Sequence, residues 1–179
     1  MKQTFKNIKR QAGISLMEVI AALLIIGLVV AGALALFNSA DSSQKSNQML
    51  HDIVALRSAV KGLYTGQGNY STNNLNGILK AAKKIPSDLA VDNAAPPVIT
   101  HPMNGTITIT GATSSYNMVV TNIPTDVCVS LLTNSGNGWV SVQVGGATAL
   151  TAFPITPATA SSAANCAASD SNTITFVGA

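Results

Sequence analysis

Apolar and small residues run without a charge from Val19 to Phe37, nineteen positions dominated by Leu, Ile and Ala and free of proline. A helix of about 20 mainly apolar residues is long enough to cross a bilayer. The following stretch, Asn38–Asn47, is polar but also lacks proline. After it the spacing becomes amphipathic: Met49, Ile53, Leu56, Val60 and Leu63 recur at intervals of 4, 3, 4 and 3, with Gln48, Asp52, Arg57 and Lys61 between them. That rhythm buries one stripe of a helix and leaves the intervening residues to solvent. The two segments together predict one unbroken helix of about fifty residues, ended by Gly62, Gly66 and Gly68.

The remainder reads as short elements. Leu75–Lys84 predicts a small helix, with Leu75, Ile78, Leu79 and Ala82 on one side, Lys80, Lys83 and Lys84 in its last turn and Pro86 as its stop. From Val98 the pattern turns to strand. Asn104-Gly105 signals a turn, Thr106–Thr110 alternates threonine with isoleucine, and Tyr116–Val120, Trp139–Val144 and Thr173–Val177 follow as further strands. Thr125 is placed to cap a short helix over Asp126–Leu132. Residues 154–172, rich in Pro, Ala, Ser and Thr, read as a long loop. The expected class is α+β, with a long N-terminal helix packed on an antiparallel sheet.

Charge sharpens the division of the chain. Only 9% of the 179 residues are charged, against about 25% in ordinary soluble domains. The net charge of +3 is carried by one end: Lys2, Lys6, Lys9 and Arg10 precede Gly13, and no acid does. Ten Lys and Arg less these four leaves six, against seven acids, so the rest of the chain is close to neutral. Nucleic-acid binding is not expected, because no basic stripe with interleaved aromatics occurs. By the positive-inside rule the N-terminal end of the apolar segment faces the cytoplasm and the rest lies outside.

Glu18 is the exception inside this segment. An ionisable side chain in a membrane-grade stretch is expensive and marks a functional site by default. It stands five residues after Gly13, in Gly13-Ile14-Ser15-Leu16-Met17-Glu18. Secretory signals are cut after their apolar region; here the candidate junction, Gly13–Ile14, lies before it, so cutting there keeps the helix in the product. Glu18 would then sit in the first helical turn, where the dipole favours an anion, near a new amino terminus. Gly27, Ala31 and Ala35, at i, i+4 and i+8, form a stripe of small residues that permits close helix approach in an apolar medium.

The basic leader, Gly13, hydrophobic Ile14 and Glu18 as fifth residue of the product resemble the N-terminus of type IV prepilins. The resemblance implies that a prepilin peptidase/methyltransferase cuts after Gly13 and methylates Ile14, and that Glu18 of an incoming subunit neutralises the amino terminus of one already in the fibre. Tyr64–Tyr70, ending in Gly68-Asn69-Tyr70, is similar to the post-helix segment of type IVb pilins. Cys128–Thr133 with Trp139–Val142 and Gly145-Gly146 resembles the C-terminal region of PilS-type thin-pilus major pilins. Ala35 stands where type IVa pilins carry a helix-kinking proline, which also favours the IVb class. The implied organisation is a leader over residues 1–13, a membrane and assembly helix over 14–38, and a head over 39–179.

The implied function is the major subunit of a type IVb pilus used in adhesion, aggregation or conjugation, with a pseudopilin or minor pilin as the alternative. Implied partners are further copies of the chain, the peptidase, an inner-membrane platform protein, an assembly ATPase, an outer-membrane secretin and the inner membrane itself. The product would pass from inner membrane, head periplasmic, to an extracellular fibre.

Two cysteines, Cys128 and Cys166, are too few and too far apart for a zinc site. In an exported domain they read as one disulfide; in a reducing compartment they would be buried thiols. The family resemblance implies the disulfide. His51 is expected on the solvated side of the long helix, His101 in a loop before Pro102. Asp88 and Asp92 are the nearest approach to a cation site. No Ser/His/Asp spacing or phosphate-cradling glycine motif occurs, so neither catalysis, metal nor cofactor is expected.

Overall fold

The structure is a computed structural model that describes residues 16–135, 138–166 and 171–179. Helix α1 runs Leu16–Tyr64, 49 residues, with Glu18 in its first turn and Lys61 in its last. The chain divides into two compact units at Ala40 and Asp41. In the first unit, α1 has no buried face: every described side chain from Leu16 to Phe37 is exposed. A helix apolar on all sides is at home in lipid or among other helices rather than in water.

The second unit, Asp41–Ala179, holds a core around a six-stranded antiparallel sheet. Its elements are α2 (Asn76–Ala81), β1 (Ala90–Val91), β2 (Ile99–Thr100), β3 (Thr106–Gly111), β4 (Tyr116–Ile123), α3 (Thr125–Asn134), β5 (Ser141–Val144), α4 (Pro157–Ala160) and β6 (Asn172–Gly178). The strand order is β1-β2-β3-β4-β6-β5, so β6 enters between β4 and β5. Period-two alternation sets the buried face: Ile107 and Ile109 of β3, Tyr116, Met118 and Val120 of β4, and Ile174 and Phe176 of β6 point inward. Met49, Ile53, Leu56 and Val60 of α1 complete that core, joined by Leu131 and Leu132 of α3.

Several elements differ from the expected ones. The helix after the long one is shorter, Asn76–Ala81, because Lys83 at φ 53° ends it rather than Pro86. Ile78 faces outward, while Asn76 turns in. The Asn76 amide donates to the carbonyls of Ile107 (3.0 Å) and Pro97 (3.1 Å) and accepts from the Ile109 N–H at 3.1 Å, stapling α2 to β3. Lys80 ties α2 to the loop after β1: its Nζ donates to the Asp92 carbonyl and, at 2.8 Å, to Asn93 Oδ1. Helix α3 starts at Thr125 itself, with Pro124 in the capping position, and extends to Asn134. The expected loop over 154–172 contains α4, whose Thr156 cap accepts from the Thr159 N–H at 3.2 Å and whose first residue is Pro157. Strands β1 and β2, two residues each, were not legible as separate elements.

Candidate assembly segment and head

Gly13 and Ile14, the expected processing junction, lie outside the described residues. Glu18 is placed in the first turn of α1 and is exposed. Its carboxylate therefore stands at the positive end of the helix dipole. On the same helix a side chain built at Gly27 or Gly32 would meet nothing within 4 Å, so both glycines leave an open notch in an exposed apolar surface. The helix is long and apolar enough to cross a membrane.

In the head, Cys128 of α3 and Cys166 form a disulfide with Cα atoms 5.9 Å apart. Both sulfur-bearing residues are buried. The bond ties α3 to the turn after α4, and the Cys166 N–H donates to the Ala160 carbonyl at 3.2 Å beside it. Five aromatic rings form a connected series: Tyr64–Tyr70 (centroids 5.4 Å), Tyr70–Tyr116 (5.1 Å), Tyr116–Trp139 (6.2 Å) and Trp139–Phe176 (5.0 Å). Arg57, expected on the solvated side of α1, is half-buried and lies over the Trp139 ring, 5.1 Å from its centroid. Gly138 makes room for it, since a Cβ there would come within 2.2 Å of the guanidinium and the backbone sits at φ +136°. Burial pushes the Tyr116 phenol up to about 12, against the opposing pull of Arg57.

Comparison with known proteins agrees with this architecture. Residues 43–179 match the family "PilS N terminal", and residues 8–34 match the prokaryotic N-terminal methylation motif. The chain belongs to the PilS family of type IV pilins. The major structural subunit of the bundle-forming pilus of Escherichia coli O127:H6 is 30% identical to this pilin, over 98% of each chain. The toxin coregulated pilin of Vibrio cholerae is 29% identical over 78% of this chain and 66% of its own. The crystal structure of TcpA, a type IV pilin from Vibrio cholerae El Tor, shares the fold with a TM-score of 0.54, covering 76% of this chain and 99% of that one at 14% identity.

The remaining candidate residues of the pilin have structural roles. His51 is exposed. His101 is buried, and the carbonyl it needs comes from the β-bulge in β4. There the register slips between Val120 and Ile123, turning the Thr121 carbonyl to within 2.9 Å of His101 Nε2. His101 Nδ1 accepts from the Met103 N–H at 3.3 Å, which fixes the proton on Nε2. Gly105 is required opposite, because a Cβ would fall 2.0 Å from the Thr121 oxygen and 2.4 Å from the imidazole. Asp92 organises its own loop, accepting from the N–H groups of Val98 (2.7 Å) and Ala94 (3.2 Å). No group of three or more potential metal ligands occurs among the described residues.

Asp52 is the larger surprise. It was expected among the solvated residues of α1, yet it is fully buried, with both carboxylate oxygens sealed and lacking any hydrogen-bond donor. It lies three residues from Met49 and four from Leu56, inside the arc that faces the core. Burial and the nearby Asp88 carboxylate raise its pKa above 3.8, against the smaller opposing effect of His51. Burial lowers the pKa of His101 below 6.5, partly offset by its bond to Thr121.

The two groups oppose each other as pH changes. For Asp52 the raised folded value means stability is fully present below 3.8 and is lost as pH climbs through the folded pKa. For His101 the lowered value means stability is lost as pH falls from 6.5 towards the folded pKa. Asp52→Asn is expected to raise the denaturation midpoint at pH 7 and to abolish the gain seen on acidification through the carboxylate range. Urea titrations followed by Trp139 fluorescence at several pH values measure both effects.

Proposed function

We propose that this pilin is the major structural subunit of a type IVb pilus. A prepilin peptidase removes residues 1–13 by cutting between Gly13 and Ile14 and methylates Ile14. Residues 14–38 hold the product in the inner membrane and then form the fibre core, while residues 39–179 form the periplasmic and finally extracellular head. Assembly draws on a platform protein, an ATPase and a secretin. Like its relatives of that name, the chain is a structural subunit and not an enzyme. Adhesion and aggregation of cells are the functions a surface fibre of this kind serves.

The observation that carries the reading is the co-occurrence of two features in one chain. The N-terminal methylation motif covers residues 8–34, spanning Gly13, Ile14 and Glu18, and it opens into a helix whose apolar side chains are unburied from Leu16 to Phe37. A single copy in water would expose all of that surface; a membrane before assembly and neighbouring helices after it both remove it from water. N-terminal mass spectrometry of fibres sheared from cells tests the processing. A methylated Ile14 terminus is expected, and an intact Met1 on surface fibres would overturn it. The same preparation gives the copy number, which separates a major subunit from a minor pilin.

A further inference from the structure

We propose that, in the fibre, Asp126 of one subunit docks into a cationic notch on α1 of the next, between Arg57 and Lys61. The inference rests on the reading of the chain as a fibre subunit and names which parts of the head meet.

The notch is a shallow cavity of about 250 Å³ lined by Val54, Arg57, Ser58 and Lys61. Arg57 and Lys61 stand four residues apart on one helix face, where like charges repel. No acid among the described residues is within ion-pair distance of either, whereas Lys45, further back on the same helix, is paired with Asp41 at 2.6 Å. Lys84 adds a third cation at an adjoining cavity that shares Ser58. The site is also preorganised. Stacking on Trp139 and packing over Gly138 hold the guanidinium in place, so little side-chain freedom is lost when it engages a carboxylate. Val54, 51% exposed, supplies an apolar wall that would exclude water from a contact. This chemistry selects a carboxylate, which can accept from the Arg57 fork and from the Ser58 hydroxyl together.

In a fibre of identical subunits the carboxylate must come from the same sequence. Of the acids described in the head, Asp41 is paired with Lys45, Asp52 is sealed in the core, Asp88 accepts from the Ser87 hydroxyl at 3.4 Å, and Asp92 binds its own loop. Asp126 is left. It is exposed in the first turn of α3, in a helix whose capping position holds Pro124, and no bond to its side chain is found. Acid and notch occupy different places on one head and do not pair within it. A contact between unlike surfaces is heterologous, the kind that propagates into open helical polymers instead of closing into a dimer.

The experiment has two arms on the full-length protein in cells. Lys61→Glu and Asp126→Lys are each expected to lower the yield of sheared fibres about tenfold, and the double charge swap to restore it to within about twofold of wild type. Arg57 is left intact because it also packs on Trp139. In the second arm, wild-type fibres treated with a carbodiimide are expected to give subunit dimers containing a Lys61–Asp126 linked peptide, a readout independent of how any variant folds. Single variants with wild-type yield, or cross-linked dimers without that junction, would overturn the docking while leaving the subunit reading intact. Wild-type cells with no fibre of this chain would overturn the subunit reading, and the docking with it.

Discussion

Glu18→Ala is expected to leave subunits in the inner membrane and to lower surface fibres at least about tenfold. Two effects push the same way. In the membrane, an acid within the apolar segment is a cost, on the order of 2.5–3.5 kcal/mol for a charged residue at mid-helix and less near an end. Alanine removes that cost and makes the waiting state more comfortable. In the fibre, the carboxylate is proposed to meet the amino terminus of the preceding subunit. Removing one member of a desolvated charge pair leaves the other uncompensated, typically at about 2–5 kcal/mol. The equilibrium between membrane and fibre therefore moves towards the membrane on both counts. Fractionation with immunoblotting measures the membrane pool, and shearing measures the fibre pool. Glu18→Gln keeps the side-chain volume while removing the charge, so a loss of fibres equal to that of Glu18→Ala would assign the effect to charge and not to shape. Wild-type piliation of both variants would remove Glu18 from assembly.

Much of this was legible in the sequence because the informative signals were local. The nineteen uncharged residues from Val19 to Phe37, the 4-3-4-3 spacing after them and the absence of proline between are enough to write α1 as one helix. The Thr/Ile alternation of β3 fixes both the strand and its buried face. Elements of two to four residues, β1, β2 and α4, are too short to show a period. Their existence depends on partners distant in sequence: Ile99 pairs with Ile107, and the segment before α4 is anchored through Leu150 bridging Val142.

The polar residues whose surroundings the sequence did not show share one cause. Asp52 and Arg57 were read as solvated from their polarity, and the burial of Asn76 and His101 gave no local signal, because the surroundings of all four are set by tertiary contacts. His101 is buried because a bulge in another strand turns a carbonyl towards it, and Arg57 is held because an aromatic ring and a glycine lie across from it. Only Asp52 carried a usable signal, since its position between Met49 and Leu56 falls within the buried arc of the helix. For the assembly segment, the spacing of Gly13, Ile14 and Glu18 ahead of the apolar run is itself a local pattern. That is why it could be singled out without any tertiary information.

Removing the disulfide, as Cys128→Ser with Cys166→Ser, is expected to lower head stability by about 4 kcal/mol. The bond closes a loop with a sequence separation of 38, and the chain-entropy model gives about that value for the freedom restored to the unfolded chain. The folded state loses as well. Both positions are buried, so serine would place two hydroxyls in an apolar setting with no designed partner. The loss is also local. Between β5 and β6 the chain is held to the rest of the head by the Val142–Leu150 bridge, by the buried Ile155 and Ala160, and by the disulfide that joins Cys166 to α3. Without the bond, this segment opens at a lower free energy than the sheet behind it. A protease added to the reduced wild type or to the double variant should therefore nick the chain within residues 145–166 before the core strands are attacked. Trp139, the chain's single tryptophan and buried, reports the global transition in the same samples. Equal denaturation midpoints for the variant and the oxidised wild type would show that the cross-link contributes nothing to the head.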